Sequence, residues 1–264
     1  MNNALIGYSG FVGGTLLRQT GFSQVYRSTD ISNIAGQSFD TVVCAGAPAQ
    51  KWLANLEPAA DLQKIEGLIA HLKSMRCKTL ILISTVDVFK DSIGVDEDSD
   101  VDEAGLNPYG LHRRFLEKFV ESHFDNYLIV RLPGLVGPGL RKNVIFDFLN
   151  DNNLSAIDSR GVFQFYPMVN LWSDITMALA AGLKLVHLTA TPVSVSDVSL
   201  KGFGKTFENA LVKVPAIYDM HTKYAALFGG AGRHQYSARE TIIAIRAYAQ
   251  SEPLASSKNA GDKV

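Results

Sequence analysis

A strand that runs into a glycine-rich turn and then into a helix is the feature that most narrows the fold of this 264-residue chain. The apolar run Ala4-Leu5-Ile6 is followed at once by Gly7-Tyr8-Ser9-Gly10-Phe11-Val12-Gly13-Gly14, and Phe11, Leu16 and Leu17 then mark a helical stripe. Glycine at the first position permits the tight turn. At the second it removes the Cβ that would block a pyrophosphate, and at the third it lets the helix pack closely on the strand. The start of the helix adds a partial positive charge that favours an anion. Gly7, Ser9, Gly10, Phe11, Val12 and Gly13 are therefore predicted to hold the phosphates of a dinucleotide, with Ala45, Gly46 and Ala47, after a later strand, completing that site.

Short runs rich in Val, Ile and Leu at 3–7, 23–27, 40–45, 78–84, 127–131 and 185–189 alternate with helical patterns at 11–19, 58–75, 108–124, 143–150, 173–184 and 237–249. Apolar strands of this length between amphipathic helices predict a parallel sheet buried on both faces, a doubly wound Rossmann-type α/β fold. Within 58–75, Leu62, Ile65, Leu68, Ile69 and Leu72 recur at helical spacing and read as core. An apolar content of 47% is ample for such a core. The length suits one domain over 1–250 with a small C-terminal substrate lobe, formed mainly from 132–172 and 191–236. The polar stretch 251–264 has no periodicity and is expected to be a flexible tail.

Several function classes are excluded at this level. A net charge of −1 provides no field that would draw nucleic acid or an anionic membrane. No apolar run approaches about 18 residues, and no basic-then-apolar leader precedes the glycine loop, so a cytoplasmic location is expected. Cys44 and Cys77 read as buried small hydrophobes, without a disulfide or metal pattern. His112, His123, His187 and His221 show no metal spacing, and no metal is expected. Residues 96–103 are acidic at six of eight positions, but Val101 and Asn107 stand where a calcium loop beginning at Asp96 needs glycine and glutamate. That run is expected to be a solvated loop.

Three further segments carry a resemblance. They are Ile83-Ser84-Thr85-Val86-Asp87-Val88-Phe89 at a strand end, Asn107-Pro108-Tyr109-Gly110-Leu111-His112-Arg113 at a helix start, and Arg131-Leu132-Pro133-Gly134-Leu135-Val136-Gly137-Pro138-Gly139 after the next strand. Together with the G-x-x-G-x-x-G spacing of the loop, residues 1 to about 205 resemble the extended short-chain dehydrogenase/reductase superfamily, in its sugar-nucleotide epimerase/dehydratase branch. The resemblance implies an enzyme that moves hydride between NAD(P) and a carbohydrate. Thr85 would polarise the reacting oxygen and Tyr109 would serve as general acid/base. A free tyrosine titrates at about 10, too high for a neutral-pH base, and a nearby cation lowers that value. The family supplies a lysine four residues after the tyrosine, one helical turn away.

Arg113 stands at that lysine position. It keeps the charge and can donate to ribose hydroxyls, but it cannot shed its proton, so a lysine-type relay is excluded. Val86-Asp87 replaces the Asp-Glu pair of dehydratases, leaving Asp87 either to face the substrate or to cap its loop. Gly134 stands where relatives usually have Asn, while Pro133 and Leu135 would still shape the nicotinamide pocket.

About 20 residues beyond the loop, where NAD enzymes place an acid, stand Arg27 and Ser28, which suit the 2′-phosphate of NADP. Asp30 serves NAD if the strand runs longer, so NADP is favoured and NAD stays open. Arg141, Lys142 and Asn143, at a helix start, suit the diphosphate of a nucleotide sugar, and Trp172 either lines the sugar pocket or packs in the core. Relatives by resemblance often dimerise through helix 108–124, where Leu111, Phe115, Phe119 and Val120 serve a core as well as an interface, so a homodimer stays open. Two readings stand: an NAD(P)-dependent oxidoreductase or epimerase, and a dinucleotide-binding redox sensor or regulator without hydride chemistry.

Overall fold

The alternation of strands and helices is realised as a parallel sheet wrapped on both faces. The computed structural model describes residues 2–253. In chain order the first half contains β1 (Asn3–Ile6), α1 (Phe11–Gln19), β2 (Gln24–Tyr26), β3 (Ser38–Cys44), α2 (Lys51–Leu56), α3 (Pro58–Lys73), β4 (Arg76–Thr85), α4 (Pro108–His123) and β5 (Tyr127–Leu132). The second half contains β6 (Gly134–Val136), α5 (Val144–Asn150), β7 (Val162–Phe163), β8 (Phe165–Pro167), α6 (Leu171–Ala180), β9 (Leu185–His187), β10 (Val193–Ser194), the single turn α7 (Val195–Asp197) and α8 (Ala238–Ser251). The main sheet has the order β2-β1-β3-β4-β5-β9, all parallel. Its six strands are the six read from the sequence, each within two residues of its expected start and end.

The period-2 alternation of strand side chains decides which layer each residue joins. Ala4 and Ile6, Val42 and Cys44, Leu80 and Leu82, and Ile129 face the α3/α4 layer, where Ile65, Leu68, Ile69, Leu72, Leu116 and Val120 meet them. Leu5, Val43, Ile81, Leu128 and Val130 face the opposite layer, with Leu16 of α1 and Leu171, Ile175 and Ala178 of α6. Each fully buried Leu or Ile contributes about 1.5–3 kcal/mol. Strand order reverses at the β1/β3 boundary, and in open α/β sheets ligands bind outside the carboxyl ends of the strands at such a point. The loops that follow β1 and β3 flank that crevice.

A third apolar cluster lies under the C-terminal half. β6 pairs with β8 and β7 with β10, and Val136, Ile145, Phe148, Phe165, Val193 and Val198 pack there with Ile242, Ile245 and Tyr248 of α8. This lobe core therefore draws on α8 as well as on the two segments expected. α8 begins with a capping box of Ser237 and Glu240 and runs through Ser251, so the expected tail does not start there. Residues 254–264 of that tail lie outside the described residues.

One expectation needs correction. The acidic run is not simply solvated: Glu97 accepts hydrogen bonds from His187 N at 2.8 Å, Thr222 Oγ1 at 2.6 Å and Lys223 N at 2.9 Å, tying the loop to the lobe. Charge runs are usually solvated because free carboxylates prefer water, but here three donors compensate the loss. The departure at Gly134 also has a steric cause. A Cβ there would lie 2.6 Å from Gln164 O and 3.1 Å from the Phe165 ring, because β8 packs directly on β6.

Candidate active site

The glycine cradle comes first in the chain. Gly7 has φ +87°, and a Cβ on it would lie 2.4 Å from Ala45 O. A Cβ on Gly13 would lie 2.1 Å from Gly7 O, so these two glycines exist for the turn and for helix packing. Gly10 differs. Its Cβ would meet only Gly7 O, at 3.4 Å, and both Ser9 and Gly10 are exposed, leaving open space over the first turn of α1. No side chain caps α1, so the N–H groups of its first turn, beginning at Phe11 and Val12, face that space. A shape that a side chain would fill, lined by helix N–H groups, fits a dinucleotide pyrophosphate.

Neighbouring loops complete the cradle. Gly7 N donates to Tyr26 O at 2.7 Å, which brings Arg27 and Ser28, just past β2, beside it. Both are exposed, and Arg27 shares its loop with Asp30, whose Oδ1 accepts the Arg27 N–H at 2.7 Å. The arginine and the acid invoked for NADP and NAD thus lie in one turn. Ala45 N bonds Ile6 O at 2.9 Å, setting Ala45, Gly46 and Ala47 on the other side of the glycine loop. A Cβ on Gly46 would come within 2.9 Å of Ile6 Cγ2. Pro133 is buried at the end of β5.

The hydroxyl pair stands at the end of β4. Thr85 is its last residue, and its hydroxyl lies close enough to the Tyr109 phenol to favour the ionised form of that phenol. Asn107 caps α4 through Gly110 N at 3.1 Å and Pro108 starts it, placing Tyr109 in the first turn. The short turn after Thr85 brings Asp87 under that helix, where a Cβ on Gly110 would lie 2.1 Å from Asp87 O. Asp87 N donates to Thr85 Oγ1 at 3.2 Å.

Arg113 does not lie as the resemblance suggested. Its guanidinium is 3% exposed and forms a bidentate pair with Asp61 of α3, Nη1 to Oδ2 at 2.7 Å and Nη2 to Oδ1 at 3.0 Å. Nη2 also donates to Pro48 O, and His112 Nδ1 meets the same Asp61 Oδ2 at 2.7 Å. The guanidinium carbon stacks on the Tyr109 ring, 4.3 Å from its centroid. Nε is buried without a partner. Burial keeps the Tyr109 phenol above the ordinary tyrosine value. Arg113 opposes this, Asp87 adds to it, and the Thr85 hydroxyl and Lys51 oppose it further. The lowering expected from a cation four residues on is therefore outweighed by desolvation.

The residues expected to hold substrate divide. Asp87 is half-buried and paired with Lys51, Nζ to Oδ1 at 2.7 Å, and with Tyr218, whose hydroxyl lies 3.4 Å from the same oxygen. Lys142 Nζ donates to Ala49 O; desolvation pulls its ammonium below the ordinary lysine value, and Asp87 pulls it back up. Arg141 is exposed beside it. Asn143 is occupied by the fold: Oδ1 caps α5 through Ile145 N at 2.9 Å and Phe146 N at 3.4 Å, and Nδ2 donates to Leu135 O at 2.9 Å. Trp172 packs edge-on against Phe22, centroids 6.2 Å apart, while its N–H bonds Gln19 Oε1 at 3.0 Å. Both partners lie at or beyond the C-terminal end of α1, opposite the cradle, so Trp172 is a packing residue.

Sequence reasoning missed Lys51, Asn55, Asp61 and Tyr218. α2 has only six residues, too few for a periodic pattern, and the other two meet the site only through tertiary packing. It also left aside Asp219 and His234, whose ligand atoms lie with that of His221 within 4.8 Å of one another, a grouping that spacing along the chain does not reveal. Asp219 already takes His234 Nε2 at 2.9 Å and His221 Nε2 at 3.3 Å, while Arg233 Nη1 stands 3.5 Å from His221 Nδ1.

Comparison with known proteins agrees with this geometry. No curated protein matches the chain by sequence. Among solved structures, a dTDP-4-dehydrorhamnose reductase of Clostridium acetobutylicum ATCC 824 superposes with TM-score 0.72 at 17% identity, covering 95% of this chain and 99% of that one. The same enzyme of Bacillus anthracis strain Ames, in complex with NADP, gives 0.70 at 16%, covering 94% and 98%. A UDP-glucose 4-epimerase of Thermotoga maritima, with UDP-glucose, gives 0.67 at 16%, covering 95% and 98%. These likenesses establish the fold. Among the described residues no helix is long and apolar enough to cross a membrane. The sequence model of the NAD dependent epimerase/dehydratase family matches residues 24–174, from β2 to the start of α6, leaving the glycine loop as separate testimony. Cradle, hydroxyl pair and sequence match agree that this chain belongs to the NAD-dependent epimerase/dehydratase family.

Proposed function

We propose that this chain is an NADP-dependent oxidoreductase or epimerase acting on a nucleotide sugar or related carbohydrate. The observation that carries this reading is the Thr85–Tyr109 pair at the carboxyl end of β4, two strands from the glycine cradle. The nicotinamide, when bound, supplies or accepts hydride at a substrate carbon. Tyr109 enters protonated at neutral pH, since burial holds its phenol above the ordinary value, and gives that proton to the substrate oxygen. Thr85 donates a hydrogen bond to the same oxygen. In the reverse direction the proton returns to Tyr109. One passage makes a reductase; two opposite passages make an epimerase.

The other expected residues take supporting roles. Arg113 would reach the nicotinamide ribose only by turning its guanidinium away from Asp61, and Pro133 closes the pocket at the end of β5. Arg141 and Lys142 take the substrate diphosphate, and Asp87 faces the sugar. The exposed Leu111 and Phe115 of α4 support a homodimer through that helix. The free thiols of Cys44 and Cys77 suit a reducing compartment and support a cytoplasmic location.

A panel of nucleotide sugars with NADPH and NADP tests the assignment. Net cofactor oxidation marks a reductase, and sugar inversion without net oxidation marks an epimerase. The commitment of Arg113 to Asp61 favours one rival, a redox sensor, which would bind NADP(H) and leave it unchanged. Arg27 decides the cofactor. Arg27→Ala is expected to weaken NADP binding about ten- to hundredfold, the worth of a charge-assisted contact, with NAD binding nearly unchanged. Wild-type protein that binds NAD tenfold better than NADP refutes the Arg27 assignment.

A further inference from the structure

Asp219 and His221 flank Met220 in an extended segment of the lobe that pairs with the loop after β4, through a bridge between Asp219 and Ile93. Residues two apart on extended backbone point to the same side, so Met220 is buried while its two neighbours project together. The segment is pinned. Gly94 N donates to Asp219 O and His221 N to Val95 O, both at 2.8 Å, and His221 O meets His187 Nδ1 at 3.0 Å. Thr222 N donates to Arg233 O at 2.9 Å, which brings His234, from the loop before α8, across from His221. Gln235, next in the chain, accepts the Thr189 N–H through its Oε1. The backbone around all three residues is therefore fixed before anything binds.

Two imidazoles converge on one carboxylate. His234 Nε2 lies 2.9 Å from Asp219 Oδ1 and His221 Nε2 lies 3.3 Å from Oδ2. The ligand atoms of all three residues fall within 4.8 Å of one another. Ligands held about 2.0–2.1 Å from a tetrahedral zinc ion stand about 3.3 Å apart, so an ion has only to draw the two rings together. Two imidazole nitrogens with one carboxylate suit zinc, whereas calcium and magnesium take oxygen ligands. The side chains of His221 and His234 are 11% and 15% exposed and that of Asp219 is 33% exposed. The rings are shielded, and the carboxylate side gives the ion an entry path and a water as fourth ligand. Desolvation holds His234 below the ordinary histidine value, which keeps it neutral, as a ligand must be.

Arg233 opposes binding. Its Nη1 stands 3.5 Å from His221 Nδ1, and a metal on Nε2 leaves the ring proton on Nδ1, facing that donor. Arg233 is exposed, so its guanidinium can turn into water.

We propose that Asp219, His221 and His234 form a binding site for a divalent cation of the zinc class, which clamps the lobe segment to the loop before α8. The site stands independently of the oxidoreductase reading. It lies beside Tyr218, whose hydroxyl is 3.4 Å from Asp87, so the ion fixes the segment that carries Tyr218 to the candidate active site.

The test is equilibrium dialysis and thermal unfolding of the full chain, stripped with a chelator and then given zinc or magnesium alone. One zinc per chain is expected, with a Tm that rises with zinc concentration and ignores magnesium. His221→Gln and His234→Gln are each expected to weaken zinc binding at least about 100-fold, the upper end of what loss of an outer partner costs. Asp219→Asn, close in shape, serves as a further ligand variant should either histidine variant fold poorly by circular dichroism. Arg233→Ala removes the opposing cation and is expected to tighten zinc binding. The proposal is overturned by a wild-type chain that takes up no zinc or responds equally to magnesium. Wild-type zinc affinity in the folded ligand variants, or affinity that does not rise in Arg233→Ala, overturns it as well.

Discussion

Tyr109→Phe is expected to lower kcat about 10²- to 10⁴-fold, the usual worth of a positioned general acid/base, while leaving NADP binding intact. The physical basis is local. The phenol is buried in the first turn of α4 near the Thr85 hydroxyl, so deleting one oxygen removes the proton donor without disturbing the ring. The Arg113 stack, 4.3 Å from the ring centroid, needs only the aromatic face and should persist. Steady-state rates on the nucleotide sugar found active, beside a fluorescence titration with NADPH, check both halves. A variant that keeps more than a tenth of wild-type kcat would remove Tyr109 from the chemistry. The rate of proton donation should also fall with rising pH only above the ordinary tyrosine value, because burial raises the phenol and keeps it protonated below that point.

Asp61→Ala is expected to cost about 3–5 kcal/mol of stability, because it leaves a buried guanidinium without its counter-ion. Asp61 lies in α3 at 4% exposure and joins Arg113 and His112 of α4 at 2.7 Å each, so it ties the two helices that cover one face of the sheet. Burial by itself would raise its carboxyl, but hydrogen bonds from Arg113 and His112 outweigh that and hold it below the usual carboxylate range. The sign follows from linkage. A depressed folded value contributes stability that is fully present above the unfolded value of about 4 and is lost as pH falls through the lower folded one. Urea denaturation at neutral pH should show the full loss. A pH series should show a smaller acid-side decline in Asp61→Asn than in the wild type. A loss under 1 kcal/mol in Asp61→Ala would mean that water or another group neutralises Arg113. Release of Arg113 also frees Pro48 O and the segment leading to α2, so the alignment of Lys51 should loosen with it.

Much of this architecture was legible before any coordinates, for reasons of period and chirality. Strand residues such as Leu80, Ile81 and Leu82 are apolar in succession because both sheet faces are covered, and that continuous pattern marks a parallel strand. The glycine loop was legible because Gly7 and Gly13 occupy positions where any Cβ collides with backbone. Pro108 and Asn107 marked the start of α4, and with it the place of Tyr109. α2 was not legible, since six residues hold too little pattern. Nor was the role of Trp172, because size alone does not distinguish a pocket wall from a partner for Phe22.

By itself the sequence determined the sheet, its coverage on both faces, the glycine turn at the end of β1 and the candidate hydroxyl pair. These features rest on local rules: steric freedom at glycine, helix capping, and the periods of strand and helix. Only the tertiary structure decided how Arg113 is held beside Tyr109. An arginine one turn along the same helix would serve by spacing alone, yet Asp61, 52 residues away, claims its guanidinium, and Lys51 reaches Asp87 across 36 residues. Electrostatic partnership depends on distance in space and on burial, neither of which is written in the spacing of a motif.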